Sequence, residues 1–488
     1  MEHIPVKLVR LLQSALLMTL LESGAMGQTT QSPIDTAQGG GTSQSESAIM
    51  GVGSQSPFLG STPTGKPTGT VIPLSISDAI EQGLKYNLGL IESDVGTRTT
   101  RAERMRALSQ LLPNVNASFS QEVQQIDLKA MGINFPGVPA VVGPFGVQDA
   151  RGYLSQQVFD WSALQSLRAA SQRQKASHYT YQNSRDIVVL AVGNAYLRII
   201  ADAASVESQQ AQVNTSQALY RQAVDRRVAG LAAQINETRA KVEAQTEQQR
   251  LIATQNQLAK DKLALGRIIG LPLGQQFTLT DTVPYAPLEG VTVEGALQDA
   301  YTHRADLLSA EAAVRAAELS RKAAVAERYP TVSTEATYGD IGPNLATSHG
   351  TVTFAATLNI PIFQGGRIKA DVLQADAEVQ KKQAELANLR GQIDSEVRSA
   401  LLDLNSARDL VNVSKSNLNL AGETLSQAKD RFAAGVTDNL EVVQAQESVA
   451  TANQAYISSL YSFNIAKVEL AKAAGVAERA VKDYLGGK

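Results

Sequence analysis

From residue 74 onward the sequence is written twice, and this limits the fold more than any other feature. "LSISDAIEQGLKYNLGL" (74–90) aligns with "VTVEGALQDAYTHRADL" (291–307) at an offset of 217, which also matches Pro113 and Val115 with Pro330 and Val332. Leu154, Val158 and Phe159 match Leu358, Ile362 and Phe363 at an offset of 204. An offset of 205 then pairs Asp225, Arg226, Gly230 and Ala240 with Asp430, Arg431, Gly435 and Ala445. It also pairs Lys262, Leu265 and Gly270 with Lys467, Leu470 and Gly475. The chain therefore divides into a first repeat over 71–284, a second over 285–476 and a tail over 477–488.

Each repeat reads as helix, strand, strand, long helix, turn, shorter helix. "TVTFAATLNIPIFQGGRIKAD" (351–371) carries the change of period. Val352, Phe354, Ala356, Leu358 and Ile360 alternate with mostly polar neighbours, which is a strand with one oily face. Pro361 and Gly365-Gly366 end it, and a long helix-forming run follows. The strand after Pro330 sets Val332, Thr334, Ala336 and Tyr338 against Ser333, Glu335 and Thr337. Its first-half counterpart sets Val115, Ala117, Phe119 and Val123 against Ser118, Ser120, Glu122 and Gln124. The first hairpin carries 13 extra residues within "MGINFPGVPAVVGPFG" (131–146), whose Gly and Pro content reads as a surface loop.

The long helices have a seven-residue repeat. Val397, Leu404, Val411, Leu418, Leu425 and Phe432 stand seven apart, with Ala400, Ala407, Ser414, Ala421 and Ala428 between them. Large residues at one seam position and small ones at the other indicate closely packed coiled-coil helices. The first half keeps the large positions as Val192, Ile199, Val206, Val213 and Tyr220.

At the N-terminus, Lys7 and Arg10 precede the apolar run "LLQSALLMTLL" (11–21), and Ala25 and Gly27 are small. Residues 1–27 thus read as a secretory signal, because the run is about half the roughly twenty residues a spanning helix needs. Residues 28–70 are rich in Gly, Ser, Thr, Gln and Pro without periodicity, and read as a disordered leader. "GSTPTGKP" (60–67) approaches a phosphate-binding loop but has Pro67 where Ser or Thr is required. There is no cysteine, which excludes disulfides, thiolate metal sites and a lipidated Cys anchor. With 44 basic and 47 acidic residues, the charge balance gives no reason to expect nucleic acid as a partner. His178, His303 and His349 are scattered without metal or catalytic spacing, so neither a cofactor nor an enzymatic activity is expected.

Four strands of about ten residues have the length for tilted membrane-crossing strands. Hydrocarbon cannot satisfy an open sheet edge, and known barrels begin at about eight strands. Four strands cannot close alone, so several copies must share one barrel and their long helices must continue it as a helical tube. The expected fold class is an internally duplicated α+β membrane protein with four transmembrane strands and a long coiled-coil helical barrel. A periplasmic adaptor with a long helical hairpin is the alternative, but it would leave the amphipathic strands and the duplication unexplained.

The stretches "LSISDAIEQGL", "LLPNVNAS", "LSQQVFDWSAL", "RVAGLAAQINETRAKV", "LNIPIFQGGRIKAD" and "RFAAGVTDNLEVVQAQ" occur in this order over residues 74–475. Together they resemble the TolC family of outer-membrane efflux proteins. The resemblance implies a homotrimer with a twelve-stranded barrel in outer-membrane lipid and an α-helical barrel in the periplasm. It also implies a conduit docked to a periplasmic adaptor and an inner-membrane transporter. Many relatives carry a lipidated Cys, which this chain lacks.

Further residue roles follow from that resemblance. Gly230 and Gly435, where each long helix turns, would form the adaptor-docking tip with Leu231, Ile235, Val436 and Leu440. Six residues past each Gly the family often places a pore-facing carboxylate. This chain has Glu441 in the second half, Asn236 in the first, and Gln444 one turn after Glu441. Arg227, Arg431 and Phe432 lie just before the turns and complete the expected gate. A solvated helix face is the competing reading of Glu441. Phe159, Trp161 and Phe363 stand at strand-to-helix junctions, where aromatics suit a membrane interface.

Overall fold

A computed structural model describes residues 56–132, 136–281, 285–288, 290–344, 346–437 and 439–479. The expected signal (1–27), the leader up to residue 55 and the tail beyond Arg479 lie outside the described residues.

Each repeat begins with two helices rather than the single one expected. Helices α1 (Ile76–Tyr86) and α2 (Leu88–Ser109) are separated at Asn87, and α5 (Val293–His303) and α6 (Ala305–Ala326) at Arg304. These two breaks are equivalent by the repeat. Asn87 is fully buried; its side chain accepts from Gly89 N at 3.0 Å and donates to Phe58 O at 2.8 Å. Arg304 solves the same problem with charge, pairing with Asp306 and Glu396 at 2.6 Å each.

Strands β2 (Asn114–Asp127), β3 (Val141–Phe159), β5 (Thr331–Gly342) and β6 (His349–Asn359) form one antiparallel sheet in the order β2-β3-β5-β6. Part of the expected loop is strand, since β3 starts at Val141 opposite Asp127. The alternation of Val141 and Phe145 with Gly and Pro neighbours sustains pairing at that end, so the 13-residue insertion mostly lengthens the hairpin. Val115, Leu154, Ala336 and Phe354 lie in one row across the sheet. That face exposes Val115, Phe119, Val123, Tyr338, Val352, Phe354 and Leu358. The other face carries Ser118, Arg151 and Thr351, with Arg151 paired to Asp149 at 3.1 Å. The halves meet at the β3–β5 pair, where a side chain on Gly339 would strike the Ala150 carbonyl. Among the described residues, β2 and β6 are the edges of this sheet.

Helices α3 (Trp161–Val228, 68 residues) and α7 (Arg367–Ala433, 67 residues) leave this sheet. Each is about 100 Å long at 1.5 Å per residue. They return as α4 (Gln234–Ile269) and α8 (Asn439–Ala473). The predicted heptads are the packing seam, with Val397, Ala400, Leu404, Ala407, Val411, Ser414, Ala428 and Phe432 buried on α7. A stretch of α3 is apolar enough to cross a bilayer by composition, but Val188, Val189, Val192, Tyr196 and Ile199 are the buried core of the first repeat. That core also takes Leu265, Ile269 and the short parallel pair β1 (Ile72–Leu74) and β4 (Phe277–Leu279). The second-repeat core repeats the plan with Ile393, Val397, Leu404, Phe463 and Leu470.

The two sheet-to-helix joints differ. At the first, the Asp160 side chain caps α3 by accepting from Ala163 N at 2.9 Å, and Ser162 Oγ donates to Ala323 O at 2.9 Å. At the second, Gly365 and Gly366 have φ of 58° and 88°, with open space where a Cβ would stand. Arg367 then ties α7 to Glu327 at 2.7 Å.

The disordered reading of the leader fails over residues 56–70. Pro57–Leu59 is a 3-10 turn, and Phe58 packs on the first-repeat core directly over Gly89. Leu88 N donates to Gly60 O at 3.0 Å, Thr62 N to Tyr86 O at 3.0 Å and Thr68 N to Gln275 Oε1 at 2.7 Å. One aromatic and a ladder of backbone bonds offset the entropy that low apolar content could not. Phe58→Ala should therefore lower stability by about 2 kcal/mol, below the ~3–5 of a fully buried Phe. The thermal midpoint of helical circular dichroism in detergent measures it.

Lys467 on α8 is 1% exposed, donates to Ala286 O at 3.2 Å and lies 5.5 Å from the Phe463 ring centroid. Among the described residues it has no carboxylate partner, and burial pushes its ammonium down to about 8. The folded state then holds fewer protons than the unfolded chain between about pH 8 and 10.5. Stability should rise with pH across that window. Lys467→Met should be more stable at pH 7 and flat over the same range, as read from thermal midpoints against pH.

Candidate functional site

The site is built at the two hairpin turns. Helix α3 ends with Ala229 N bonded to Asp225 O at 2.9 Å, Gly230 N to Arg227 O at 2.9 Å and Leu231 N to Arg226 O at 2.8 Å. Helix α7 ends identically, with Ala434 N to Asp430 O at 2.9 Å, Gly435 N to Phe432 O at 3.2 Å and Val436 N to Arg431 O at 3.0 Å. Both are Schellman endings, which need a left-handed residue after the cap. Gly230 and Gly435 supply it, each with φ of 73°. Among the described residues no neighbour lies within 4 Å of the place a Cβ would take at either glycine, so conformation rather than space requires Gly there.

Each turn is clasped by an ion pair ten residues apart. Arg431 Nη1 lies 3.1 Å from Glu441 Oε1, and Thr437 Oγ1 donates to the other carboxylate oxygen at 2.5 Å. In the first hairpin Arg227 pairs with Glu237. The first-half carboxylate thus sits one residue past Asn236. Strict repeat alignment hid it, because it matches Asn236 with Glu441 and Glu237 with apolar Val442. The constant ten-residue spacing from Arg was the available signal. Asn236 is half-buried, and Gln444 is exposed. These arginines and carboxylates are mostly half-exposed, so each pair contributes on the order of 1 kcal/mol or less.

Phe432 is buried with Ala428, Val442 and Ala445 against Leu219 and Leu425. The Arg226 guanidinium lies 4.1 Å from the Phe432 ring centroid and donates to the Phe432 carbonyl at 3.3 Å. Arg226, absent from the expected gate, therefore joins the two hairpins at their tips. Around the turns Leu231, Ile235, Val436 and Leu440 are exposed, and Val228, also not anticipated, is 73% exposed. At the opposite end Phe159 closes β3 and Trp161 opens α3, its ring 5.8 Å from the Arg168 guanidinium. Phe363, in the second joint, is 88% exposed.

The sequence pattern of the family described as outer membrane efflux protein matches residues 79–271 and 296–476, one stretch in each repeat. The chain belongs to that family. Among its relatives is the toluene efflux pump outer membrane protein TtgC of Pseudomonas putida, 22% identical over 82% of this chain and 83% of the relative. Another is the pyoverdine export outer membrane protein OpmQ of Pseudomonas aeruginosa, 24% identical over 78% and 80%. The crystal structure of the Campylobacter jejuni CmeC outer membrane channel superposes with a TM-score of 0.73 at 17% identity, covering 93% of this chain and 98% of that one. The Vibrio cholerae outer membrane protein VceC gives 0.70 at 19% identity, with 82% and 96% covered. As an outer-membrane efflux channel of this family, the chain places its strands in the outer membrane and its long helices in the periplasm.

Proposed function

We propose that three copies of this efflux channel form one passive conduit, docked at its periplasmic end to an adaptor and energised through an inner-membrane transporter. The four-stranded sheet carries the reading, because it exposes an apolar face and leaves β2 and β6 unpaired. Three copies joined β6 to β2 give twelve strands and a lumen lined by the Arg151 face. Two copies give eight, whose interior is normally filled by side chains. Phe159, Trp161 and Phe363 then lie at the membrane interface. Leu231, Ile235, Val436 and Leu440, with Gly230 and Gly435, form the apolar tip offered to the adaptor. Mass measurement in detergent should give three chains per particle; a stable monomer would overturn the barrel.

The periplasmic gate is assigned to the clasped turns. Three Glu441 carboxylates brought together repel one another, and Arg431 at 3.1 Å offsets the repulsion. Arg227 with Glu237 forms a second tier of the constriction, and Phe432 with Arg226 holds the tiers in register. Arg431→Ala should raise single-channel conductance severalfold in planar bilayers. Glu441→Gln should instead reduce cation preference and block by multivalent cations, since carboxylate rings select cations. Wild-type conductance and ion preference in both variants would place the constriction elsewhere.

A further inference from the structure

Helices α2 and α3 pack side by side beyond the sheet, and the groove between them, about 540 Å³, is basic. Arg98 and Arg101 line it from α2, and Lys175 and His178 from α3. Asp94 is the one carboxylate among its described lining residues, and Arg98 takes it at 2.7 Å. Arg101 and Lys175 are exposed and have no carboxylate partner among the described residues. The duplication supplies an internal comparison. At the offset of 217, Glu318 stands where Arg101 does. The groove there, between α6 and α7, sets Arg321 and Lys322 against Glu318 and Asp376, with Arg321 paired to Asp376. In the first repeat three full cations face one carboxylate; in the second, two face two. The surplus belongs to one groove and is no general property of the fold.

We propose that this groove is an attachment site for the cell wall, taking the peptide carboxylates of peptidoglycan. Three observations choose this occupant. First, the groove opens outward. Ser171 and His178 stand three and two heptads before Val192, on one face of α3. Helix α1 packs Gly83 against Val188 and Val192 on that face, and β1 and β4 join the same core. A channel keeps its lumen clear, so the side that carries α1, β1 and β4 is the outer one. Second, the depth is wrong for lipid. Lys175 lies 14 residues along α3 from Trp161, roughly 21 Å from the strands at 1.5 Å per residue. Attraction to anionic headgroups fades within a Debye length of about 8 Å. A tube of about 100 Å leaving the outer membrane must cross the peptidoglycan mesh, so the wall is the polyanion within reach. Third, the chemistry fits. The Arg101 guanidinium suits a carboxylate bidentately, and Thr97, Ser171 and Gln174 beside it offer hydrogen bonds to peptide amides and sugar hydroxyls. Each contact is weak, and attachment is multivalent because the wall is a polymer. The site lies within one chain; only its repetition around a ring rests on the three-copy reading above.

The test is co-sedimentation of the purified channel, in detergent, with isolated peptidoglycan sacculi. Arg101→Glu with Lys175→Glu should cut the pelleted fraction roughly fivefold or more. Lys322→Glu with Lys129→Glu, an equal change of charge at two exposed lysines elsewhere, should stay within about twofold of wild type. All four side chains are exposed, so both variants should keep the wild-type thermal midpoint. High salt should release the wild type, and sacculi with amidated carboxylates should not retain it. Undiminished pelleting of the groove variant, or full retention of the wild type on amidated sacculi, overturns the site. Native mass spectra in which the wild type holds phosphatidylglycerol and the groove variant does not, with equal sacculus binding, give the groove to lipid and overturn it too. A single-chain particle that still pellets through Arg101 and Lys175 overturns the three-copy reading and upholds this site.

Discussion

Hydrocarbon offers no partner for an unpaired peptide group, and that constraint organises the whole molecule. A four-stranded sheet with free edges at β2 and β6 is stable in lipid only when other strands complete it. The duplication doubles a hairpin but does not reach closure, so the chain must leave complementary edges on both sides. Along the long helices the heptad seam from Val397 to Phe432 is buried within the chain.

The repeats share a plan and satisfy it with different chemistry. Asn87 and Arg304 occupy one position, yet the first breaks its helix by capping and the second by a buried guanidinium held between two carboxylates. Burial there favours the neutral carboxyls, but hydrogen bonds from the Arg304 guanidinium and its charge outweigh it, so Asp306 and Glu396 are both held below the usual carboxylate range. At the tips, the clasps Arg227–Glu237 and Arg431–Glu441 keep a ten-residue span while shifting by one position against the repeat. What is preserved is the reach of an arginine across a turn.

Much of this was legible in the sequence because it rests on period. The alternation in Val352–Leu358, the sevenfold spacing from Val397 to Phe432 and the turn glycines all report local geometry that a single chain dictates. The misses lie where tertiary partners decide. Phe58 sits in a stretch whose composition suggests disorder, and only the groove over Gly89 gives it somewhere to go. The start of β3 at Val141 depended on Asp127 being opposite, which no local pattern within a Gly/Pro-rich run reveals. Glu237 lies one position off the repeat alignment, and the role of Arg226 depends on the Phe432 ring that the other hairpin brings beneath it.

The unequal joints between sheet and helices have a mechanical consequence. Asp160 caps the start of α3 and Ser162 ties that start to α6, so the first joint is fixed by side chains. Gly365 and Gly366 make the second a more compliant coupling, and beyond the bend Arg367 with Glu327 and Arg321 with Asp376 hold α7 to α6. Any turning of the long helices relative to the sheet is therefore taken up first at Gly365 and Gly366, the joint with no side-chain cap, and last at the capped start of α3.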